Sequence, residues 1–304
     1  MMLNNAQALE GSYLEYRPLT KACQSRIKRS GLKMDKGQKF GMPVVSLARK
    51  KRDLEQNFSL VYEIYREKGY ISRPRPHKMF FSIYSLLPET THISVRRNLA
   101  TISNLTHVPD TKEFGLPMDS IYKRELDLIR SKGRKIAELS ALATPCRFRW
   151  RNIFLYQIQA VYWYALYRGI DDICIVVNPR HKKFYTSLFP FEELGPVRHY
   201  PRVNAPAVGL RGRVYEALDY MMKISDLICS DAPFYKWLYR VEQSLQKSLR
   251  GKTPARDHQL VFQPVRLDSG SVHHFLSLEP SILSGLNRVQ KKMLENAYPG
   301  LSLC

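Results

Sequence analysis

Two short apolar runs on either side of a long aromatic segment constrain this chain more than any other feature. Residues 172–178, DICIVVN, are dense in β-branched and apolar side chains with no polar alternation. Such a run has no solvent face, so it reads as a strand buried between two layers, the usual setting of a parallel strand. Residues 136–143, IAELSALA, read as a second central strand, interrupted by one acidic residue. Between them, NIFLYQIQAVYWYALYR (152–168) is an apolar, aromatic helix that Gly169 is placed to end. Strand, helix and strand in this order imply a mixed α/β core from about residue 50 to 215.

The remaining pattern fills in that core. From Ser46 to Gly69 the sequence alternates at helical spacing, with Leu54, Phe58, Val61, Tyr62 and Tyr65 on one face. Pro74, Pro76 and Pro88 break the stretch that follows. Thr91–Arg96 and Leu99–His107 read as two strands turning at Arg97-Asn98. Asp119 is a plausible helix start, with Tyr122, Leu126 and Ile129 on one face. Pro179 suits the first turn of another helix, and 191–212 reads as two short strands around Pro201 and Pro206. Beyond lie a helical pattern over 213–250, a short strand at 259–267 and a terminal helix at 280–297. The expected organisation is a flexible basic arm (1–45), an α/β domain (46–212) and a mainly helical extension (213–304).

Charge says where partners lie, not which fold forms. The net charge is +21, and residues 1–52 carry 12 Lys/Arg against 3 Asp/Glu. A balance of this kind suits an acidic protein, anionic small molecules, nucleic acid or peripheral contact with an anionic membrane. No helix-turn-helix, zinc-finger or RNP pattern supports obligatory nucleic-acid binding. No apolar stretch reaches the roughly 18–20 residues of a membrane helix, and Met1–Ser12 lacks the pattern of a secretory signal. The five cysteines are scattered, without a CxxC pair, and the histidines lack zinc-ligand spacing. A soluble, cytoplasmic protein with reduced thiols and no metal centre is expected.

Several stretches in fixed order carry a family resemblance: FGLPMDSIYKRELDLIRSKGRKIAELSALA (114–143), RGIDDICIVVNPRHKKFYTSLFPFEELG (168–195) and RHYPRVNAPAV (198–208). VYEIYREKGYI (61–71) matches more weakly. Together they resemble the FeeM-like long-chain N-acyl amino acid synthases, members of the GNAT acyltransferase superfamily and relatives of the acyl-homoserine-lactone synthases. The resemblance implies a GNAT-like fold, a mixed central sheet with flanking helices. It also implies transfer of a fatty acyl group from an acyl carrier protein thioester to the α-amine of an amino acid. Acyl-phosphopantetheine is then a donor substrate, and no cofactor is tightly bound.

That chemistry can be laid against the residues. A carboxylate inside an apolar strand is a candidate base, because burial raises its pKa toward the working pH. Glu138 fits, although pairing with a structural arginine is the competing reading. Ser140, two residues on, shares its side of a regular strand. The lactone synthases carry an arginine after the equivalent serine; here it is Ala141. Leu139, Ala141 and Leu142 fall where the resemblance implies contact with the acyl donor. The loop that cradles pyrophosphate in CoA-dependent relatives contains glycine, whereas TPCRFRWRN (144–152) has none. Arg147, Arg149 and Arg151 are placed to meet a phosphopantetheine phosphate and an acidic carrier. Asn178 followed by Tyr185 matches the superfamily spacing, in which the tyrosine protonates the leaving thiolate. The family pattern then expects glycine where this chain has Pro190. Arg198, Arg202 and Asn204 are the candidates for the acceptor's carboxylate. The alternatives are a lactone-type synthase, a basic nucleic-acid binder, or a GNAT-like scaffold. An open cleft beside Glu138 separates catalysis from scaffold.

Overall fold

The computed structural model describes residues 44–217, apart from 49, 98 and 150–152, and residues 266–303. Its strands are β1 (Val44–Leu47), β2 (Thr91–Arg97), β3 (Ala100–Pro109), β4 (Ile136–Ala143), β5 (Asp172–Val177), β6 (Phe191–Glu193), β7 (Arg198–Tyr200) and β8 (Ala205–Arg213). Its helices are α1 (Lys51–Glu67), α2 (Asp119–Arg130), α3 (Cys146–Arg149), α4 (Ile153–Arg168), α5 (Lys182–Leu188), α6 (Ser269–Leu278), α7 (Ser281–Ser284) and α8 (Arg288–Ala297). The sheet runs β1-β2-β3-β4-β5-β8-β6, and β7 also pairs with β8. The β4–β5 pair is parallel and every other described pair is antiparallel.

The two central runs are buried on both faces, as their composition demands. On one face Ala137, Leu139, Ile173 and Ile175 pack against Ala160, Val161, Tyr164 and Ala165 of α4. On the other, Ile136 and Cys174 pack against Tyr122, Leu126 and Ile129 of α2. α1 covers the same side of the sheet further along, burying Leu54, Phe58, Val61 and Tyr62. It ends where Gly69 takes φ +72°, and Tyr70 N–H closes the turn onto Tyr65 O at 2.8 Å. No helix among the described residues is long and apolar enough to cross a membrane.

Several elements depart from the sequence reading. The helix expected from Ser46 begins at Lys51, because Val44–Leu47 forms an edge strand on β2, with Val45 opposite Val95. These β-branched residues fill the edge of the hairpin, and Val45 packs against the core beneath α4. Three strands rather than two lie between 191 and 213. A 3-10 turn, Pro179–His181, precedes α5. The terminal helix is split into α7 and α8, since Asn287 opens a new helix with a capping box. Its side chain accepts from Gln290 N–H at 2.9 Å, and Gln290 Oε1 accepts from Asn287 N–H at 3.0 Å. No strand includes Arg266 or Leu267, and the rest of the strand expected at 259–267 lies outside the described residues. So do the expected helical stretch beyond 217 and all of the basic arm before Val44.

The C-terminal helices join the core directly. Phe275 of α6 sits 5.0 Å from the Phe58 ring and 5.4 Å from the Phe81 ring, centre to centre. Leu294, Tyr298 and Leu301 enter the same cluster. Tyr298 donates its hydroxyl to Leu86 O at 2.7 Å, and Glu279 pairs with Arg75 at 3.3 Å and with His77 at 3.1 Å. Segment 75–87 is thus braced from outside by residues two hundred positions away. Phe275→Ala is expected to destabilise the whole protein by about 3–5 kcal/mol, read as one shifted transition in urea. A separate early transition, with the main one unmoved, would show that these helices fold apart.

Candidate active site

The parallel register of β4 and β5 runs from Ile136↔Asp172 to Leu139↔Ile175 and then stops. Past that point Ser140 and Ala141 on one side, and Val176, Val177 and Asn178 on the other, line an open cleft. β5 stays paired with β8 up to Val177↔Val208, while β4 stays with β3, so the sheet parts between them. The cleft holds about 810 Å³ of empty space including its mouth. Its outer walls come from Tyr65 and Tyr70 at the end of α1, from Phe80–Ser85, and from the Tyr200–Ala207 segment.

A bulge in β4 shapes the floor. Thr106 faces Ser140 and Asn104 faces Ala143, so one residue of β3 opposes two of β4. Ala141 accordingly takes φ +52°, and Asn104 Nδ2 donates to its carbonyl at 3.2 Å. Ala141 and Leu142 have no register partner on β3 or on β5. Ala141 lines the cleft at this irregularity.

Glu138 lies at the apex, 2% exposed. Its Oε2 accepts the Met118 N–H, at the N-terminus of α2, at 2.7 Å. No arginine among the described residues forms a salt bridge with it, so the structural pairing considered from sequence is not made there. Burial pushes its carboxyl up to about 8, against the pull of the Met118 N–H and of the Arg202 charge. Burial also pushes the Tyr65 phenol up to about 12 and raises those of Tyr84 and Tyr200. These hydroxyls are neutral at physiological pH and able to donate. Tyr200 donates to Pro117 O at 3.4 Å and Tyr84 to Phe114 O at 3.2 Å. Arg202 is the cation of the cleft. It donates to Ser82 Oγ and lies 5.9 Å from the centre of the Tyr84 ring.

Of the residues singled out from sequence, Glu138, Leu139, Ser140, Ala141, Asn178 and Arg202 meet at this cleft. Asn178 also caps the following turn, accepting from Arg180 N–H at 3.2 Å. The others lie elsewhere. Leu142 packs into the core under α4. Tyr185 is wedged edge-on against Phe154, Phe184 and Phe191 and does not line the cleft, and burial pushes its phenol up to about 12. Arg198 is committed to both oxygens of Glu125 and stacks 4.6 Å above the Tyr122 ring. Asn204 is exposed, in a left-handed turn with φ +44°. Arg147 is exposed with its guanidinium 5.0 Å from the Phe148 ring. The Arg149 side chain and all of Arg151 lie outside the described residues. Missed from sequence were the aromatic wall of segment 80–84 and the Met118 N–H. The run FFSIYS after the prolines was the available signal for the first; a backbone donor leaves none.

Comparison with known proteins places this geometry. The family model of the N-acyl amino acid synthase FeeM matches residues 56–213. The solved structure of FeeM, an N-acyl amino acid synthase from uncultured soil microbes, superposes with a TM-score of 0.52 at 26% identity, covering 59% of this chain and 95% of FeeM. The CoA-dependent acyl-homoserine lactone synthase BjaI, solved with MTA, gives 0.50 at 16% identity over 66% of this chain and 100% of its own. BjaI with SAM and isopentyl-CoA gives 0.50 at 17% over the same shares, 66% and 100%. At such identity the BjaI likeness speaks to fold alone. No curated protein sequence matches the chain.

The bulge makes a local prediction. At φ +52° a β-branched side chain is strained, so Ala141→Val is expected to cost about 1–3 kcal/mol in thermal unfolding, with Ala141→Gly tolerated. Equal stability of the two variants would show that the bulge relaxes.

Proposed function

Because this chain belongs to the family of the N-acyl amino acid synthase FeeM and is an amide-forming acyltransferase acting on an amine, we propose that it joins a long-chain fatty acyl group, carried as a thioester on an acyl carrier protein, to the α-amine of an amino acid. The observation that carries the catalytic part is Glu138, a buried carboxyl poised near neutral pH at the apex of an open cleft. The acceptor's carboxylate docks on Arg202, and its ammonium gives a proton to ionised Glu138. The amine nitrogen then attacks the thioester carbonyl carbon. As the C–N bond forms, peptide N–H groups at the Ala141–Leu142 bulge receive the carbonyl oxygen. The C–S bond breaks, and the departing thiolate takes a proton from a neutral phenol of the cleft. The nitrogen, which gained a positive charge on attack, gives its extra proton back to that phenolate to leave the neutral amide, and Glu138 releases its own proton to solvent. Tyr65 and Tyr200 line that space, whereas Tyr185 does not and drops behind them as proton donor. Ser140 orients the amine or thioester.

Support for a carrier-bound donor is compositional. TPCRFRWRN has no glycine for a pyrophosphate cradle, and its arginines suit a single phosphate and an acidic partner. A reaction fed by fatty acyl carrier belongs in the cytoplasm. Arg198 and Asn204 drop behind Arg202 as acceptor contacts, since one is tied to Glu125 and neither lines the cleft. Where lactone synthases carry arginine after the serine, Ala141 leaves that position without a charge.

Offered acyl-carrier and acyl-CoA thioesters with each amino acid, the protein is expected to yield N-acyl products by mass, faster from the carrier. No product from any acceptor, with the thioester intact, overturns the reading. Glu138→Gln is expected to lower kcat by about 10²–10⁴ and to abolish an inflection in kcat near pH 8. The sign follows from the base being required ionised: the rate rises with pH through that value. Arg202→Gln is expected to raise KM about 10–100-fold for amino acids but not for the matching decarboxylated amines. An equal rise for both would remove Arg202 as the carboxylate's partner.

A further inference from the structure

Glu138 hangs from one described hydrogen bond, and its donor belongs to a loop without regular structure. Residues 110–118 connect β3 to α2, and Met118 is the last of them. A stretch of that length, rich in turns, has no ladder to hold it. Tyr84, Tyr200 and Gln290 donate to carbonyls along it, at Phe114, Pro117 and Glu113, and one guanidinium ties its two ends together. Arg130, in the last turn of α2, donates from Nε and Nη2 to the two oxygens of Asp110 at 2.7 and 2.8 Å. From Nη1 and Nη2 it also donates to the two oxygens of Asp119 at 2.7 and 2.6 Å, and from Nη1 to Asp127 at 2.8 Å. The carboxylates that begin and end the loop are thus tied to the same planar cation.

Asp119 passes that constraint inward. Its Oδ2 accepts the Leu116 N–H at 2.6 Å, folding the chain back two residues before Met118. Gly115 is required for this closure: it has φ +63°, and a Cβ there would fall 2.4 Å from Asp119 Oδ2. Leu116 and Met118 are both fully buried, so the turn also has no slack on its inner side.

We propose that Arg130 is a positioning residue for Glu138, fixing through Asp119 and the Leu116–Met118 turn the N–H that aims the carboxyl and stabilises its ionised form. The proposal rests on the reading of Glu138 as base, but its structural half can be tested without activity. Arg130 does not line the cleft and does not touch the reacting atoms. Arg202 and Asp119 bear on Glu138 by charge, and Glu138 in turn bears on Tyr65, Tyr84, Tyr200 and Cys174; Arg130 acts on it through the hydrogen bond. The sign follows. A donor lost from a carboxylate favours the protonated form, so loosening the turn raises the Glu138 midpoint further.

Infrared titration supplies the measurement. The carbonyl band of protonated Glu138 is identified by its absence in Glu138→Gln and followed with pH in the wild type, Arg130→Lys, Arg130→Gln and Gly115→Ala. Lysine keeps the charge but cannot fork across Asp110 and Asp119, and Gly115→Ala disturbs the turn with Arg130 intact. In all three folded variants the midpoint is expected to rise by about one pH unit, and kcat at pH 7 to fall about tenfold and recover at high pH. An unmoved midpoint in Arg130→Lys and Gly115→Ala, with native circular dichroism, overturns the proposal. A raised midpoint combined with an unchanged kcat profile in Glu138→Gln upholds the positioning and overturns the base instead.

Discussion

The parallel contact between β4 and β5 lasts four residue pairs, and the rest of the molecule is arranged around its ending. Each strand has a stronger claim on it from the other side. β3 holds β4 in an antiparallel ladder that the Ala141 bulge bends, and β8 holds β5 through six paired positions. A bulge sharpens local twist, so β4 turns with its own neighbour and leaves β5 behind. Opening a sheet in its middle strips backbone groups of partners where water or substrate must replace them. The cost is met by burying the two central runs under α2 and α4 below the split. Two acidic side chains lie there: Asp172, paired with Arg134 and Arg211, and Glu138, which has no ion-pair partner among the described residues.

Keeping an acid at such a point without quenching it sets a second condition. A carboxylate in direct contact with arginine is ordinarily held about 1–3 units lower in pKa, too low to collect a proton near neutrality. Here the cation of the cleft is engaged with Ser82 and acts on Glu138 only through space. A single peptide N–H at the start of a helix replaces it as direct partner. The arrangement leaves the carboxyl near 8, where both protonation states are populated.

The sequence made the centre of the sheet legible and its periphery much less so. β4 has the bounds its apolar run announces, and β5 and α4 start or stop within a residue of theirs, because burial on both faces leaves an uninterrupted signal. β1 was hidden because its four residues have no periodicity of their own and are strands only by virtue of a neighbour's free edge. The split of α7 from α8 turned on a capping box competing with a continuous helical pattern. At the site, Glu138, Ser140 and Arg202 were readable since strand spacing and segment order place them. Tyr65 was not, because at helical spacing it looks like one more core residue, and only the end of α1 at Gly69 brings it to the cleft. Arg198 and Arg202 sit four apart in similar surroundings; what separates them is Glu125, seventy-three positions away.

Phe81 is a wall of the cleft on one side and a neighbour of Phe275 on the other. The family likeness ends at residue 213, and Phe275 stands beyond it. Two proteins alike throughout the shared region, but differing in the packing face of α6, would offer their substrates differently shaped walls. A pocket transplanted on the strength of the shared region alone would leave its backing behind. The shape of the cleft wall in this chain is therefore set from two places, the family region that supplies Phe81 and the helix beyond it that backs Phe81.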